Sequence, residues 1–339
     1  MRRKVAAINI GLNATRLLIS GVQKKPEGLK VEKEILVRIP IRLGEDCFVQ
    51  GCISQQRTTT LLRTIKAFHY LMRLFQVEAH VAYASDALRE ASNCDEVISL
   101  LKEKAHTHVQ LLTVNEEALF LRESYSPERL NKTKNYLYVN VGGGTTEIVL
   151  LVNGELADAK RFSIGTIRLL FGLVSDKEKQ VLTDYLTEIR EKYTPSAIIG
   201  AGGNINKLAQ LTGVTRDNIL SIRSLQTIYN KLRQLNSESR MSSYELNADR
   251  ADVIVPASYL YILIAKTAGV SKIIVPTIEL VDGMIHYLAN TRKQTHDMYE
   301  NALFDIRLDT FSDTMQSNFH ESDETNWFFI DDDDDDDDD

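Results

Sequence analysis

The chain has 339 residues, of which 43% are hydrophobic and 26% charged. This fits a globular protein of about two domains and excludes a disordered chain or a disulfide-stapled miniprotein. The formal charge is −7, but nine acids form the terminal run Asp331 to Asp339; the 47 acids less these nine leave 38 against 40 basic residues, which excludes a strongly basic nucleic-acid binder.

From the N-terminus, Val5 to Ile10 predicts a buried strand. A turn at Gly11, a second strand from Arg16 to Val22 and a third from Lys30 to Arg38 follow. The basic start Met1 to Lys4 leads into too short an apolar run for a signal peptide, because Asn9, Asn13 and Arg16 interrupt it. Ser54 is the expected N-cap of a helix reaching Phe75, with Leu61, Leu62, Ile65, Phe68, Leu71 and Met72 at helical spacing. Ala79 to Ala84 reads as a strand, Asp86 to Ala91 opens a helix, Val109 to Val114 is a short strand, and Glu116 to Tyr125 a helix.

The pattern then restarts. Tyr136 to Val141, Glu147 to Val152 and Glu155 to Phe162 read as strands, joined by Gly142-Gly143-Gly144 and the hairpin turn Asn153-Gly154. Ser175 to Lys192 reads as a helix and Ala197 to Ile199 as a strand. Gly202 begins a loop to a helix at Ile205, and Leu225 to Leu235 and Ala257 to Ala268 look helical. Ile273 to Val275 is a strand, and Val281 to Asn290 closes the core as a helix. A strand–glycine turn–strand–hairpin unit thus occurs at 5–38 and again at 136–162, which points to two similar α/β halves. Ser126 to Asn135 is the expected crossover, with a hinge near residues 120–135.

No apolar stretch has the length of a membrane span, since Pro256 and Ser258 interrupt Val253 to Ala265. Cys47, Cys52 and Cys94 lie at no metal-ligand spacing and read as reduced structural thiols of a cytoplasmic protein. The aspartate run is expected to stay solvated, with Trp327 to Ile330 packed back on the body.

Three glycine turns follow strands: Gly11 to Thr15, Gly142 to Thr145, and Gly200 to Asn204, the last before a helix. Glycines let backbone N–H groups approach an anion, hydroxyls add hydrogen bonds, and a helix N-terminus favours negative charge. Each turn alone is commonplace; three in a two-half chain point to a phosphate-binding cleft lined by 11–15, 142–146 and 202–204. The candidates are Gly11, Asn13, Thr15, Gly142, Gly143, Gly144, Thr145, Gly202 and Gly203.

Ala6 to Leu17, Ala84 to Ala91, Asn115 to Ala118, Gly142 to Glu147 and Ile164 to Leu169 resemble, in order, the motifs of the exopolyphosphatase and guanosine pentaphosphate phosphohydrolase (Ppx/GppA) family. Gly200 to Asn204 and Arg250 to Val253 continue the series, so that the resemblance covers about 4–290. It implies an α/β fold of two RNase-H-like halves, actin/hexokinase/Hsp70-like, with a cleft between them. The expected division is 1–125 and 126–300, then a C-terminal extension at 301–330 and the poly-aspartate tail at 331–339.

The implied activity is Mg²⁺- or Mn²⁺-dependent hydrolysis of a terminal phosphoanhydride, with polyphosphate or a phosphorylated guanine nucleotide as substrate. Neither nucleic acid nor membrane is an expected partner, and a homodimer is among the expected arrangements. By resemblance Glu117 is the base that activates water, Arg89 the phosphate clamp, and Glu147 a metal or water holder. On the residues alone, Glu116 and Glu117 read as acids opening a solvated helix, and Arg89 as a surface partner of Asp86 or Glu90.

The departures are Asn9 and Asn140 where the family's loops begin with aspartate, Ala14 for serine, and Asn204 for threonine. Glu279 stands for glycine and Val281 for arginine. Asn9, Asn140 and Glu147 are the expected metal positions, with two charges removed. This leaves two readings: a hydrolase, with weakened activity, and a catalytically degenerate protein that binds the same ligand. A sugar or acetate kinase of the same superfamily fits the motifs less well.

Overall fold

The apolar run of β1 (Arg3–Ile10) is buried on both faces from Val5 onward, as befits a central strand. The computed structural model describes residues 3–290 other than 27, 85, 125–130, 132, 215–217, 277 and 278. The expectations for Ser85, the 125/126 boundary, the extension, Trp327 to Ile330 and the tail therefore lie outside the described residues.

β1 pairs antiparallel with β2 (Thr15–Lys25), which pairs antiparallel with β3 (Gly28–Ile39). α1 (Leu43–Gln50) and α2 (Gln55–Leu74) lead to β4 (Ala79–Ala84), parallel to β1. α3 (Asp86–Glu90) and α4 (Cys94–Ala105) lead to β5 (Val109–Leu111), parallel to β4, and α5 (Val114–Ser124) follows. The sheet order is β3-β2-β1-β4-β5. Ser54 caps α2, its side chain accepting from the Arg57 N–H.

The second sheet repeats this layout. β6 (Tyr136–Val141), β7 (Thr146–Val152) and β8 (Glu155–Phe162) form the antiparallel unit, with Asn153 and Gly154 both at positive φ in the turn. α6 (Thr166–Leu170) and α7 (Asp176–Tyr193) precede β9 (Ala197–Ala201), parallel to β6. Then come α8 (Gly203–Leu211), β10 (Ile219–Ser221), α9 (Ile222–Leu232), α10 (Ser237–Tyr244), α11 (Ala248–Ala251) and α12 (Ile254–Thr267). β11 (Lys272–Ile274), parallel to β9, and α13 (Leu280–Asn290) complete the order β10-β11-β9-β6-β7-β8. α7 opens on a full capping box between Ser175 and Glu178.

Two differences from the sequence reading matter for the site. The third glycine turn is shorter than expected: α8 starts at Gly203, not Ile205, so the helix N-terminus itself meets the cleft. α13 also packs on β1, β2 and α5 of the first sheet. Its Leu280, Met284, Ile285 and Leu288 join Val5, Ala7, Phe120, Tyr138 and Ile199 in a core between the sheets. Among the described residues none of the three cysteines forms a disulfide, and no helix is long and apolar enough to cross a membrane. Burial, then the neighbouring Asp46 and Glu90 charges, pushes the Cys47 thiol up to about 12, as suits a structural rather than a reactive cysteine.

Candidate functional site

The repeat sets the geometry of the cleft. In each sheet a glycine turn closes on one backbone bond, Gly11 N–H to Ala14 O (3.2 Å) and Gly142 N–H to Thr145 O (2.9 Å). Across the first sheet Asn9, Arg16 and Arg38 stand in register on β1, β2 and β3; across the second, Asn140, Glu147 and Arg161 stand in register on β6, β7 and β8. Directly paired residues share a face, so each row presents its side chains together.

One pocket gathers the three turns: Gly11 to Ala14, Val141 to Gly143 with Thr145, and Gly202 to Asn204. Asn9, Arg16, Arg38, Glu117, Asn140, Glu147, Thr166, Arg250 and Glu279 complete its polar lining. Gly202 has φ 92°, and a Cβ there would meet Asn140 Oδ1 at 2.6 Å, so the turn requires glycine. A Cβ on Gly203 would meet Nη2 of Arg250 at 3.0 Å and Nη2 of Arg16 at 3.2 Å. Two guanidinium groups therefore lie over the start of α8, where the helix dipole already favours an anion.

The cations are held by protein acceptors, two of them carboxylates. Arg16 Nε lies 2.8 Å from Glu279 Oε2, Arg38 pairs with the buried Asp249, and Arg250 donates to the Gly203 carbonyl. Burial, with the adjacent Arg38 and Arg16 charges, brings Arg250 down to about 10. Crowded, desolvated guanidinium groups of this kind are relieved by a bound anion.

The carboxylates form a separate group. Glu117, in the first turn of α5 and 3% exposed, accepts from Arg161 Nη2 at 2.5 Å. Glu147, 4% exposed, accepts from the Thr145 hydroxyl and from Asn140 Nδ2 (3.1 Å), with Arg161 Nε 3.5 Å from its Oε1.

Of the predicted phosphate ligands, Gly11, Asn13, Gly142, Gly143, Thr145, Gly202 and Gly203 line the pocket. The Asn13 amide, however, donates to the Asp249 carboxylate and carbonyl, both at 3.2 Å, and the Thr145 hydroxyl is spent on Glu147. Thr15 and Gly144 do not line it. Thr15 is fully buried, and Gly144 packs where a Cβ would strike Leu12. Nor does Arg89 reach the cleft, since its guanidinium donates to the Leu112 carbonyl. Sequence reasoning gave no role to Arg16, Arg38, Arg161 or Arg250. The repeat held the signal for two of them: Asn140 and Glu147 are seven apart, as are Asn9 and Arg16, and Glu147 faces Arg161 as Arg16 faces Arg38.

The metal positions do not form a donor set. Among the described residues no three of His, Cys, Asp and Glu come together to hold a cation. Glu147 has both oxygens engaged, Glu117 is paired with Arg161, and the Asn140 amide is used as a donor. Asn9 Oδ1, buried without a hydrogen-bond partner among the described residues, is a single neutral oxygen. Mg²⁺ demands near-octahedral oxygen ligation anchored by carboxylates, and these residues do not supply it.

A family model described as the Ppx/GppA phosphatase family matches residues 35–291. The chain belongs to that family. Solved Ppx/GppA structures share its actin/Hsp70-like open α/β fold. The Aquifex aeolicus family member is 22% identical, with a TM-score of 0.67 over 85% of this chain and 98% of that one. An exopolyphosphatase from Cytophaga hutchinsonii is 19% identical, with a TM-score of 0.73 over 85% and 98%. Exopolyphosphatase 1 of Mycobacterium tuberculosis is 24% identical over 74% of this chain and 78% of its own length. A bifunctional 3-dehydroquinate synthase/phosphatase of Fusobacterium nucleatum is 26% identical over 48% of this chain, and the match spans only 25% of that longer protein. Membership ties the chain to phosphoanhydride-hydrolysing enzymes, and the expected link to Mg²⁺ stands at the level of the family.

Proposed function

We propose that the cleft binds the phosphate chain of polyphosphate or of a phosphorylated guanine nucleotide and hydrolyses its terminal anhydride bond. The observation that carries this is the convergence of three glycine turns and of Arg16, Arg38 and Arg250 on one pocket, with the Arg16 and Arg250 guanidinium groups over the N-terminus of α8. Phosphoryl transfer is catalysed mainly by positioning and by neutralising charge on the phosphate oxygens. The turns and arginines supply both. Glu117, at the cleft wall, is the group to take a proton from water as its oxygen attacks the terminal phosphorus; the bridging P–O bond then breaks and inorganic phosphate leaves.

A second reading, binding without turnover, has its own support. Glu117 is tied to Arg161, and a base held by a guanidinium is less available to water. Release of inorganic phosphate from polyphosphate and from guanosine pentaphosphate separates the two, with Mg²⁺, with Mn²⁺ and with chelator, and with Glu117→Gln as control. The hydrolase reading expects release that falls at least about a hundredfold in Glu117→Gln. The binding reading expects tight association with no release in either protein.

A further inference from the structure

We infer that the Arg161 guanidinium takes the place of a divalent cation between Glu117 and Glu147, so that the cleft receives the phosphates of its ligand without metal. The inference rests on the phosphate-binding reading above for its ligand, but not for its core observation. Strand register sets Arg161 of β8 opposite Glu147 of β7, and α5, which carries Glu117, packs against β8. The guanidinium thereby contacts both carboxylates, Nη2 on Glu117 at 2.5 Å and Nε 3.5 Å from Glu147. Two buried carboxylates without a counter-charge repel each other and any incoming phosphate, so some cation is required there. A guanidinium supplies one fixed positive charge in a planar fork that reaches both acids.

Asn140 fits the same arrangement. Its amide donates to Glu147, which an aspartate cannot do. A carboxylate at 140 would favour a bound divalent ion; an amide at 140 with an arginine at 161 removes the need for one. The Asp-to-Asn departure and Arg161 thus belong to a single substitution of organic for inorganic charge. Phosphate is then held by Arg16 and Arg250 at α8, with Glu117 and Glu147 already neutralised.

Two measurements on the full chain test this. In the first, binding of Mn²⁺ is followed by electron paramagnetic resonance of the free ion. At about 1 mM Mn²⁺ the wild-type chain is expected to take up no more of the ion than Glu147→Gln does, uptake by the Asp331 to Asp339 run being common to both. Arg161→Gln, with its two carboxylates exposed to each other, is expected to take up Mn²⁺ at least about tenfold more tightly. Mn²⁺ should also raise the Tm of Arg161→Gln and not that of the wild type. Wild-type binding that is lost in Glu147→Gln would overturn the inference, as would a folded Arg161→Gln that takes up no Mn²⁺. Should Arg161→Gln fail to fold, the wild-type and Glu147→Gln comparison decides alone.

In the second, tripolyphosphate is titrated calorimetrically. Binding to the wild type in chelator is expected, weakened about tenfold or more in Arg161→Gln and recovered there on adding Mn²⁺. Wild-type binding that appears only with Mg²⁺ or Mn²⁺ overturns the inference and leaves the phosphate reading intact. No binding under any condition overturns the phosphate reading, while the Mn²⁺ result still judges Arg161.

Discussion

Asn140 and Glu147 face each other across β6 and β7, and the bond between them depends on the amide being an amide. Restoring the family's charges with Asn9→Asp and Asn140→Asp places one carboxylate beside Glu147 and a second in the same pocket. Without metal, stability should fall by about 1–3 kcal/mol, from a lost hydrogen bond to a charged group and new like-charge contacts. Thermal melts with and without Mn²⁺ check this: the double variant should gain Tm with Mn²⁺, and the wild type should not. Glu279 is the other informative departure. Its carboxylate occupies the Arg16 guanidinium that a ligand phosphate would need. Glu279→Gln should therefore tighten tripolyphosphate binding about tenfold at low salt and steepen its loss as salt rises, read by calorimetry. At this scale the glycine turns were legible because glycine before a helix or between strands has few uses. The arginines were not, because a lone arginine in a strand reads the same whether it faces solvent or a cleft. Only strand register reveals that Arg16 and Arg161 stand beside Asn9 and Glu147.

Elements with their own punctuation were read correctly. α2 has a capping serine and an apolar stripe, and α7 a capping box. α1 and α4 went unread for a physical reason. Arg42, before α1, sits at φ 60° with no side-chain cap; Asn93, before α4, spends its amide on the Ile53 backbone instead of the helix. The packing of α13 on α5 is equally invisible in sequence. A Cβ on Gly283 would penetrate the Phe120 carbonyl, so the two helices approach closely only because residue 283 is glycine. Gly283→Ala should cost about 1–3 kcal/mol or more in urea unfolding, against the slight gain a solvent-exposed helical glycine would give. On the other side of the first sheet, His80 of β4 meets His69 of α2 edge-on at 5.4 Å. Burial, with the His69 charge, lowers His80 from 6.5 to about 4. The unfolded chain thus binds a proton in that window that the native chain refuses, and stability falls as the pH drops through it. Urea unfolding should lose about 2 kcal/mol between about pH 7 and pH 5, and His80→Gln should flatten the slope.

Across the whole molecule, two kinds of contact join the sheets. Ion pairs line one side: Arg38 with Asp249, Arg42 with Asp252 at 2.9 Å, and Arg168 with Glu90. The partly exposed pairs of Arg42 and Arg168 contribute about 0–1 kcal/mol each and weaken with salt, whereas Arg38 meets a buried carboxylate and is screened less. The core between the sheets is the stronger tie. Leu280, Met284 and Ile285 of α13 are buried there with Phe120 of α5 and with strand residues of both sheets, and truncating one such side chain costs about 2–5 kcal/mol. The two-fold repeat in the sequence suggested halves that fold alike and meet at a hinge; α13, following the second sheet in the chain and packed on the first, makes each half depend on the other. Met284→Ala tests that dependence. If the shared core couples the halves, native-state hydrogen exchange should show amides of β1 and of β6 losing protection by the same free energy, about 2–5 kcal/mol. If β1 alone loses protection while β6 keeps its wild-type value, the sheets open separately and the ion pairs, not the core, hold the cleft together.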